Sequence, residues 1–284
     1  MNTLVEIMAY QFRQALCNEL YEKWSLADTC KSVRKIGYSG IEIAPFTLAE
    51  DATAIPAEKR REYRSIIESE GLRFAGLHWL LVSPKGLHVT AADKAVRERS
   101  WDFLSRLIDF CADLGPRGVM VFGSPKQRGS SGGLSTAEAK KYFIGGLAGL
   151  ALHAVERGVT VLVESLSKEQ TDVVNTVDEA AEIVKTIGSH GIRTMFDTHN
   201  AVDETEPHDA VVDRHFELIR HIHVNEMDGR HPGTGNYDFK PLLRVLKRRN
   251  YDGWVSLEAF DFTPGAEKVA TESLRFLEAE IARL

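Results

Sequence analysis

Four ionisable residues in the second half of the chain each follow a short apolar run. Glu164 follows TVLV, Asp197 follows TMF, His223 lies within HIHV, and Glu258 follows VSL. If the fold brings them together, three carboxylates and an imidazole would repel one another and lose hydration unless a positive charge lies between them. Three oxygen ligands and one nitrogen suit Mn²⁺, Co²⁺ or Mg²⁺, whereas Zn²⁺, although possible, usually has more His or Cys ligands. The pattern therefore predicts one divalent metal ion.

Each of these residues also has a purely structural interpretation. A carboxylate just past a strand can cap the next helix, and a histidine in a strand is more often a buried, hydrogen-bonded residue. Glu258 is harder to explain in this way, because Phe260 and Phe262 follow it and no cationic residue lies nearby in sequence. His221, two residues before His223, is expected to be a buried histidine rather than a group that supports a metal ligand.

The elements that must position these residues form a regular alternation. Eight short segments are rich in apolar and β-branched residues: 14–20, 40–45, 74–82, 118–124, 160–166, 193–198, 221–226 and 254–260. Segments with helical periodicity lie between or after them: 26–36, 57–71, 94–115, 136–157, 175–188, 240–249, 264–283 and, more weakly, 207–218. Asn175 and Thr176 are candidate N-caps, and Gly188 is a candidate C-cap.

Eight strand–helix units predict a single (β/α)₈ TIM barrel. An open, doubly wound sheet is disfavoured because the first strand is not followed by a glycine-rich turn. No segment divides the chain, so residues 1–284 are expected to form one barrel domain, with the most flexible loop at 126–135. Barrel chemistry lies at the carboxyl ends of strands, which is where the four ionisable residues fall.

Composition argues against several classes of protein. The 35 basic and 41 acidic residues give a net charge of −6, which disfavours a nucleic-acid partner. Three cysteines without C-x-x-C spacing fit reduced thiols of a cytoplasmic protein. No apolar run is long enough for a membrane span, and the N-terminal stretch MNTLVEIMAYQFRQ does not read as a signal peptide. The motifs of nucleotide-binding loops are absent.

The segments VESL, FDTHNA, HIHVNE with PGTGNYDF, and WVSLEAF resemble the sugar phosphate isomerase/epimerase family, also described as the xylose isomerase-like barrel superfamily. The resemblance covers essentially the whole chain and is most specific in the second half. It implies one divalent metal on Glu164, Asp197, His223 and Glu258. It further implies that Glu164 and Glu258 act as the acid/base pair of a ketose 3-epimerase, through an enediolate, in what is often a dimer or tetramer.

The sequence departs from those epimerases at the expected substrate contacts. Gln170 stands where they have a Glu, Asn200 stands where they have a His, and Arg230 is only near the place of their Arg. The resemblance therefore supports the metal site, but it gives less support to the binding of a free ketohexose.

Several further polar or aromatic residues are predicted to contact a sugar-like substrate. They are His78, Trp79, Gln170, Asn200, Glu226, Arg230 and Glu42. For Trp79 the alternative is core packing, and for Glu42 it is local pairing. The glycines of GTGNYDF (233–239) are expected to serve a tight turn rather than to offer backbone donors to a ligand.

These observations favour a metal-dependent isomerase or epimerase that transfers a proton next to a carbonyl. The main rival is a lyase or dehydratase on a keto-sugar or oxidised glycoside, which would begin with the same deprotonation. A nuclease for abasic sites is less favoured, because Gly123, Asn200 and Gly229 stand where further metal ligands would be needed. A barrel that only binds sugar is the non-enzymatic alternative.

Overall fold

Eight short parallel strands surround a common axis in the computed structural model, which describes residues 12–284. The strands are β1 (Arg13–Leu16), β2 (Gly40–Ile43), β3 (Arg73–Leu77), β4 (Val119–Phe122), β5 (Thr160–Val163), β6 (Ile192–Asp197), β7 (Ile219–Val224) and β8 (Trp254–Leu257). Most of the stretch that was assessed for a signal peptide, and the first eleven residues of the expected domain, lie outside the described residues.

The strand order closes the sheet into a barrel. β8 pairs with β1 and with β7, and the parallel pairing continues through β6, β5, β4 and β3 to β2. β1 and β2 meet at a parallel bridge between Cys17 and Glu42. The predicted (β/α)₈ TIM barrel is therefore confirmed.

Within residues 12–284, eight α-helices cover the outside of the barrel. They are α1 (Leu26–Ile36), α2 (Ala57–Ser69), α3 (Lys94–Leu114), α4 (Thr136–Arg157), α5 (Val177–Ile187), α6 (His208–Arg214), α7 (Lys240–Arg248) and α8 (Ala266–Ile281). Thr176 caps α5 by accepting a hydrogen bond from the Glu179 backbone, and Gly188 ends it in the left-handed conformation, as predicted. In the described part of the chain, no helix combines the length and apolar character needed to cross a membrane.

The alternation of side chains along each strand separates two cores. On β5, Val161 and Val163 belong to the large core that includes residues of the surrounding helices, whereas Leu162 forms a separate cluster. Its partners in that cluster are Met195 of β6 and two valines of β4. Because side chains two apart on a strand point the same way, Glu164 and Asp197 continue this inner side above Leu162 and Met195.

Six strands are shorter than their apolar runs predicted, and the differences at β1, β3 and β8 affect the site. β1 ends at Leu16 and residues 18–20 form a 3₁₀ turn, while β8 ends at Leu257. β3 ends at Leu77, so His78 and Trp79 lie in the loop that follows rather than in the strand. Trp79 has a left-handed backbone with φ of +52°, which is incompatible with continued strand geometry.

Candidate metal centre and active site

The four predicted metal ligands meet at the carboxyl-terminal mouth of the barrel. Glu164, Asp197, His223 and Glu258 are all buried, and one ligand atom from each lies within 4.8 Å of the others. His223 Nδ1 is 3.0 Å from Glu258 Oε2 and 3.5 Å from Asp197 Oδ2. Pairing of β6 with β7 places Asp197 opposite His223, so strand register brings these two side chains together. The cluster has the donor set and the compactness that a divalent ion requires.

The orientation of the His223 ring fits metal ligation. Its Nε2 lies 3.1 Å from Glu42 Oε1, and Glu42 Oε2 lies 2.8 Å from His221 Nε2. Nδ1, on the other side of the ring, is buried and faces the carboxylates of Asp197 and Glu258. A carboxylate behind one ring nitrogen typically fixes the tautomer that leaves the other nitrogen free for a metal. His221 is buried, as expected, and is connected to His223 through Glu42.

The electrostatics of the cluster favour bound cations. Burial, followed by the negative charges of Asp197 and Glu258, raises the pKa of Glu164 to about 8. Burial also raises the pKa of Glu258. Although burial opposes ionisation of His223, the carboxylates of Glu42 and Glu258 raise its pKa well above the usual value. Without an ion the cluster therefore retains protons, and a divalent ion would replace them.

Glu164 is held by contacts on both of its oxygens. Asn200 Nδ2 donates to Glu164 Oε1 at 3.0 Å, and the Asn200 backbone N–H donates to Asp197 Oδ1 at 2.8 Å. On the other side, a β-carbon at Gly123 would overlap with Glu164 Oε2. Glycine at the end of β4 is thus required for the carboxylate to occupy this position.

The two departures from the epimerase pattern contact each other. Gln170 Nε2 donates to Asn200 Oδ1 at 2.7 Å, and Asn200 in turn donates to Glu164. Both side chains line the cleft above the cluster. The pair is therefore placed to orient an acidic group of the cluster as well as to meet a ligand.

Glu258 is oriented by the loop that follows β3. Trp79 Nε1 donates to Glu258 Oε1 at 2.8 Å, which leaves Oε2 on the side of His223. The Trp79 ring is 36% exposed and lies between Phe46 and Phe260, with ring centroids 6.0 and 6.2 Å away. Its position favours the predicted contact with substrate over core packing.

An open cleft of about 410 Å³ lies over the cluster. It is bounded by Glu164 and Glu258 at its base and by His78, Trp79, Gln170 and Asn200, all four predicted as substrate contacts. Lys85 and Lys126 line it as well. The volume is typical of sites for small molecules. His78 faces this cleft while its Nε2 lies 2.6 Å from Glu19 Oε2, so the imidazole is fixed by a buried carboxylate.

Three predicted substrate contacts do not line the cleft. Glu42 is fully buried beneath His223, because its carboxylate is shared by two histidines. Glu226 accepts the backbone N–H groups of Gly233 and Tyr237 and thereby folds the loop after β7. The GTGNYDF segment consequently serves a turn, as expected.

Arg230 is the third. It is exposed and pairs with Asp228 at 2.8 Å, because its own loop supplies the nearest carboxylate. His231, beside it, lies 3.2 Å from Glu272 and is not part of the metal-ligand cluster.

Sequence reasoning missed Arg128, a buried cation near Glu164. Its guanidinium donates to the carbonyls of Phe122 and Val174 at 2.9 and 3.3 Å. Burial lowers the pKa of Arg128 to about 10, while the negative charge of Glu164 opposes that shift. The residue lies in the segment 126–135 that was expected to be the most flexible loop, and no sequence signal distinguishes it from exposed arginines.

Cys17 was also missed as a neighbour of the cluster. Its thiol lies 3.6 Å from Glu42 and 3.9 Å from His223 Nε2. Burial, together with the charge of Glu42, raises its pKa to about 12, so the thiol is neutral at physiological pH in the ion-free cluster.

Comparison with known proteins agrees with the barrel fold. A family model described as xylose isomerase-like TIM barrel matches residues 30–280. The chain is similar to a D-psicose 3-epimerase of Agrobacterium fabrum, with 26% identity over 83% of this chain and 79% of the relative. It is 27% identical to a ketose 3-epimerase of Arthrobacter globiformis over 61% of this chain, and the match spans only 59% of that relative. A crystal structure of D-psicose 3-epimerase in the presence of D-fructose superimposes with a TM-score of 0.82 at 20% identity, covering 95% of this chain and 99% of that one.

The raised pKa of Glu164 predicts a pH-dependent loss of stability in the metal-free protein. A carboxyl whose pKa rises from 4.5 to about 8 on folding stabilises the fold while it is protonated, and this contribution is lost as the pH rises through that window. Between about pH 6 and pH 8, we expect wild type to lose on the order of 2 kcal/mol relative to Glu164→Gln, which cannot ionise. Urea unfolding of both proteins in EDTA measures this difference. Parallel pH dependences would contradict the account.

The close approach of Gly123 to Glu164 predicts that one methyl group disrupts the cluster. We expect Gly123→Ala to displace the Glu164 carboxylate and to weaken Mn²⁺ binding by about tenfold or more, as measured by calorimetric titration. Gly149→Ala is the matched control, because a β-carbon there meets nothing within 4 Å. It lies within α4 and should leave Mn²⁺ affinity unchanged while stabilising the helix by up to about 1 kcal/mol. Equal Mn²⁺ affinity in all three proteins would refute the proposed packing.

Proposed function

Since the chain belongs to the xylose isomerase-like TIM barrel family, which contains enzymes, we propose that it is a divalent-metal-dependent epimerase or isomerase of a keto-sugar or related polyol. One observation carries the proposal. Two buried glutamates, three strand positions apart around the barrel, share one compact ligand cluster, and an N–H donor fixes one oxygen of each. Relatives named as ketose 3-epimerases support the reaction class.

We assign the metal ligands to Glu164, Asp197, His223 and Glu258. The position of His223 Nδ1 among the carboxylate oxygens of Asp197 and Glu258 supports this assignment. Three oxygen donors and one nitrogen favour Mn²⁺, Co²⁺ or Mg²⁺ over Zn²⁺. When bound, such an ion supplies positive charge that stabilises the oxyanion developing on a neighbouring carbonyl.

The two glutamates are assigned to proton transfer. A C–H bond next to a ketone is too weakly acidic for a free carboxylate to break, so the reaction needs both a positioned base and a stabilised oxyanion. One glutamate takes the proton from carbon, leaving an enediolate, and the other returns a proton to the opposite face. The pKa of Glu164, about 8 in the metal-free cluster, is consistent with a carboxyl that holds a proton close to neutral pH.

Other residues of the cleft are assigned to orientation and shielding. Trp79 fixes Oε1 of Glu258, and Asn200 fixes Oε1 of Glu164, so each carboxylate presents a defined oxygen. The exposed faces of Trp79 and Phe260 offer an apolar surface to the C–H face of a sugar ring. Gln170 and Asn200, which line the cleft, have amide atoms suited to hydroxyl groups.

A lyase is the second candidate, and a specific observation favours it. Gln170 and Asn200 stand at the two positions that differ from ketose 3-epimerases, and Gln170 donates to Asn200, which in turn donates to Glu164. A substrate held differently at this edge of the cleft can carry a leaving group on the β-carbon. Its departure after the same deprotonation would give an unsaturated product instead of a stereoisomer.

Reaction with keto-sugars in D₂O tests the proposal. Wild type loaded with Mn²⁺ is incubated with a panel of ketoses and keto-glycosides, and products are analysed by NMR and mass spectrometry. We expect one substrate to give a stereoisomer with a single solvent deuterium at the carbon next to the carbonyl. Loss of water or of an aglycone would assign the lyase instead.

Two variants separate the roles of the glutamates. Replacement of one carboxylate by its amide should lower turnover by at least about a hundredfold. If Glu164→Gln or Glu258→Gln still exchanges deuterium into the unconverted substrate, the remaining glutamate is the base for that face. Wild-type turnover without solvent deuterium, or undiminished turnover in both variants, would contradict the assigned proton transfers.

A further inference from the structure

A second cavity, of about 670 Å³, lies at the opposite end of the barrel from the metal centre. Four arginines line it: Arg13, Arg73, Arg117 and Arg220. Arg13 and Arg73 begin β1 and β3, Arg220 is the second residue of β7, and Arg117 lies between α3 and β4. The amino-terminal ends of the strands therefore gather positive charge in a chain whose net charge is −6.

Few negative charges lie near these guanidinium groups to balance their positive charge. Within the described residues, none of the four makes an ion pair, and the side chains of Arg73 and Arg117 make no hydrogen bond either. The cavity has two acidic residues. Glu68 is already paired with Arg64 at 2.8 Å, and Asp252 contributes its backbone carbonyl to Arg13 at 2.7 Å. An excess of positive charge consequently faces the cavity.

The walls of the cavity strengthen the field of these charges. Its lining includes the buried residues Leu72, Phe74, Leu114 and Val119, together with the half-buried Trp254. Low-dielectric walls beneath charges of one sign concentrate the electrostatic potential in a cleft. An anion in this cavity would therefore be attracted more strongly than at an open surface with the same charges.

The backbone at Arg117 adds an independent observation. Its φ is +58°, in the left-handed region where a side chain costs roughly 1 kcal/mol and glycine is favoured. The chain nevertheless carries an arginine here, and the side chain lines the cavity. A residue held in an unfavourable backbone conformation is often part of a ligand site.

Helix dipoles provide the alternative explanation. α2 and α3 end shortly before Arg73 and Arg117, and the carboxyl end of a helix attracts positive charge. Arginines that served only this purpose would donate to the last carbonyls of those helices. Neither side chain makes such a hydrogen bond in the described part of the chain.

We propose that this cavity binds a small, phosphorylated anion that carries at least two adjacent phosphoryl groups. The planar fork of arginine matches the paired oxygens of a phosphoryl group, and each guanidinium can make two parallel hydrogen bonds to it. Even with the Asp252 carboxylate counted against them, four guanidinium groups leave about three positive charges, more than the charge of about −1.5 to −2 on a single phosphate. A di- or triphosphate chain, with three to four negative charges, fits them better.

Calorimetric titration with inorganic tripolyphosphate tests this proposal at constant ionic strength, with orthophosphate as the comparison. EDTA is included so that chelation of an ion at the other end of the barrel does not contribute. We expect wild type to bind tripolyphosphate at least tenfold more tightly than orthophosphate. Arg73→Gln and Arg117→Gln should each weaken tripolyphosphate binding by about tenfold, and the double variant by more.

Arg275→Gln is the matched control. Arg275 is exposed on α8, has no ion pair within residues 12–284, and does not line the cavity. It should bind tripolyphosphate like wild type. The proposal fails if wild type does not bind at millimolar concentration, if orthophosphate binds equally well, or if Arg275→Gln weakens binding as much as the cavity variants do.

Discussion

Repulsion among three buried carboxylates is the constraint around which this barrel mouth is built. Glu164, Asp197 and Glu258 are buried, and one carboxylate oxygen from each lies within 4.8 Å of the others. In such surroundings like charges are costly, and the raised pKa of Glu164 expresses that cost. A protein retains such an arrangement when something positive binds there, and the stability lost in the metal-free state is regained on binding.

The neighbouring groups can all be understood from this constraint. Glu42 contacts Nε2 of His223, and this contact orients the imidazole so that Nδ1 faces the carboxylates of Asp197 and Glu258. Asn200 and Trp79 each fix one oxygen of a glutamate, so neither carboxylate can rotate away from its neighbours. Gly123 leaves the space that Glu164 occupies. The proposed chemistry relies on these same contacts, because the oxygens that are not tied to a donor would face a bound ion or the cleft.

Sequence patterns were sufficient for the fold and for the convergence of four ionisable residues, because both follow from periodicity. Eight apolar runs separated by helices define the barrel, and residues at equivalent strand ends must converge in it. Glu164 and Glu258 directly follow β5 and β8, while Asp197 and His223 lie at the ends of β6 and β7. Their assignment as metal ligands and as acid and base stays a prediction.

Contacts between distant loops could not be predicted in the same way. Glu42 is predicted to contact substrate or to pair locally, and the sequence does not show which. In the structure its buried carboxylate lies between His221 and His223. Arg128 looked like part of a polar loop, and only three-dimensional packing buries it. The hydrogen bond from Trp79 to Glu258 spans 179 positions in sequence and depends on a left-handed backbone at Trp79. Periodicity carries no information about such pairs.

The central claim, that the carboxylate cluster holds one divalent ion, is tested most directly by the metal content of the purified protein. Wild type, Glu258→Gln and His223→Ala are loaded with Mn²⁺, freed of excess ion, and analysed by inductively coupled plasma mass spectrometry. The account predicts close to one ion per chain in wild type and much less in both variants. Wild type that remains metal-free after incubation with Mn²⁺ would contradict it, and the four residues would then be helix caps and core hydrogen-bonding groups.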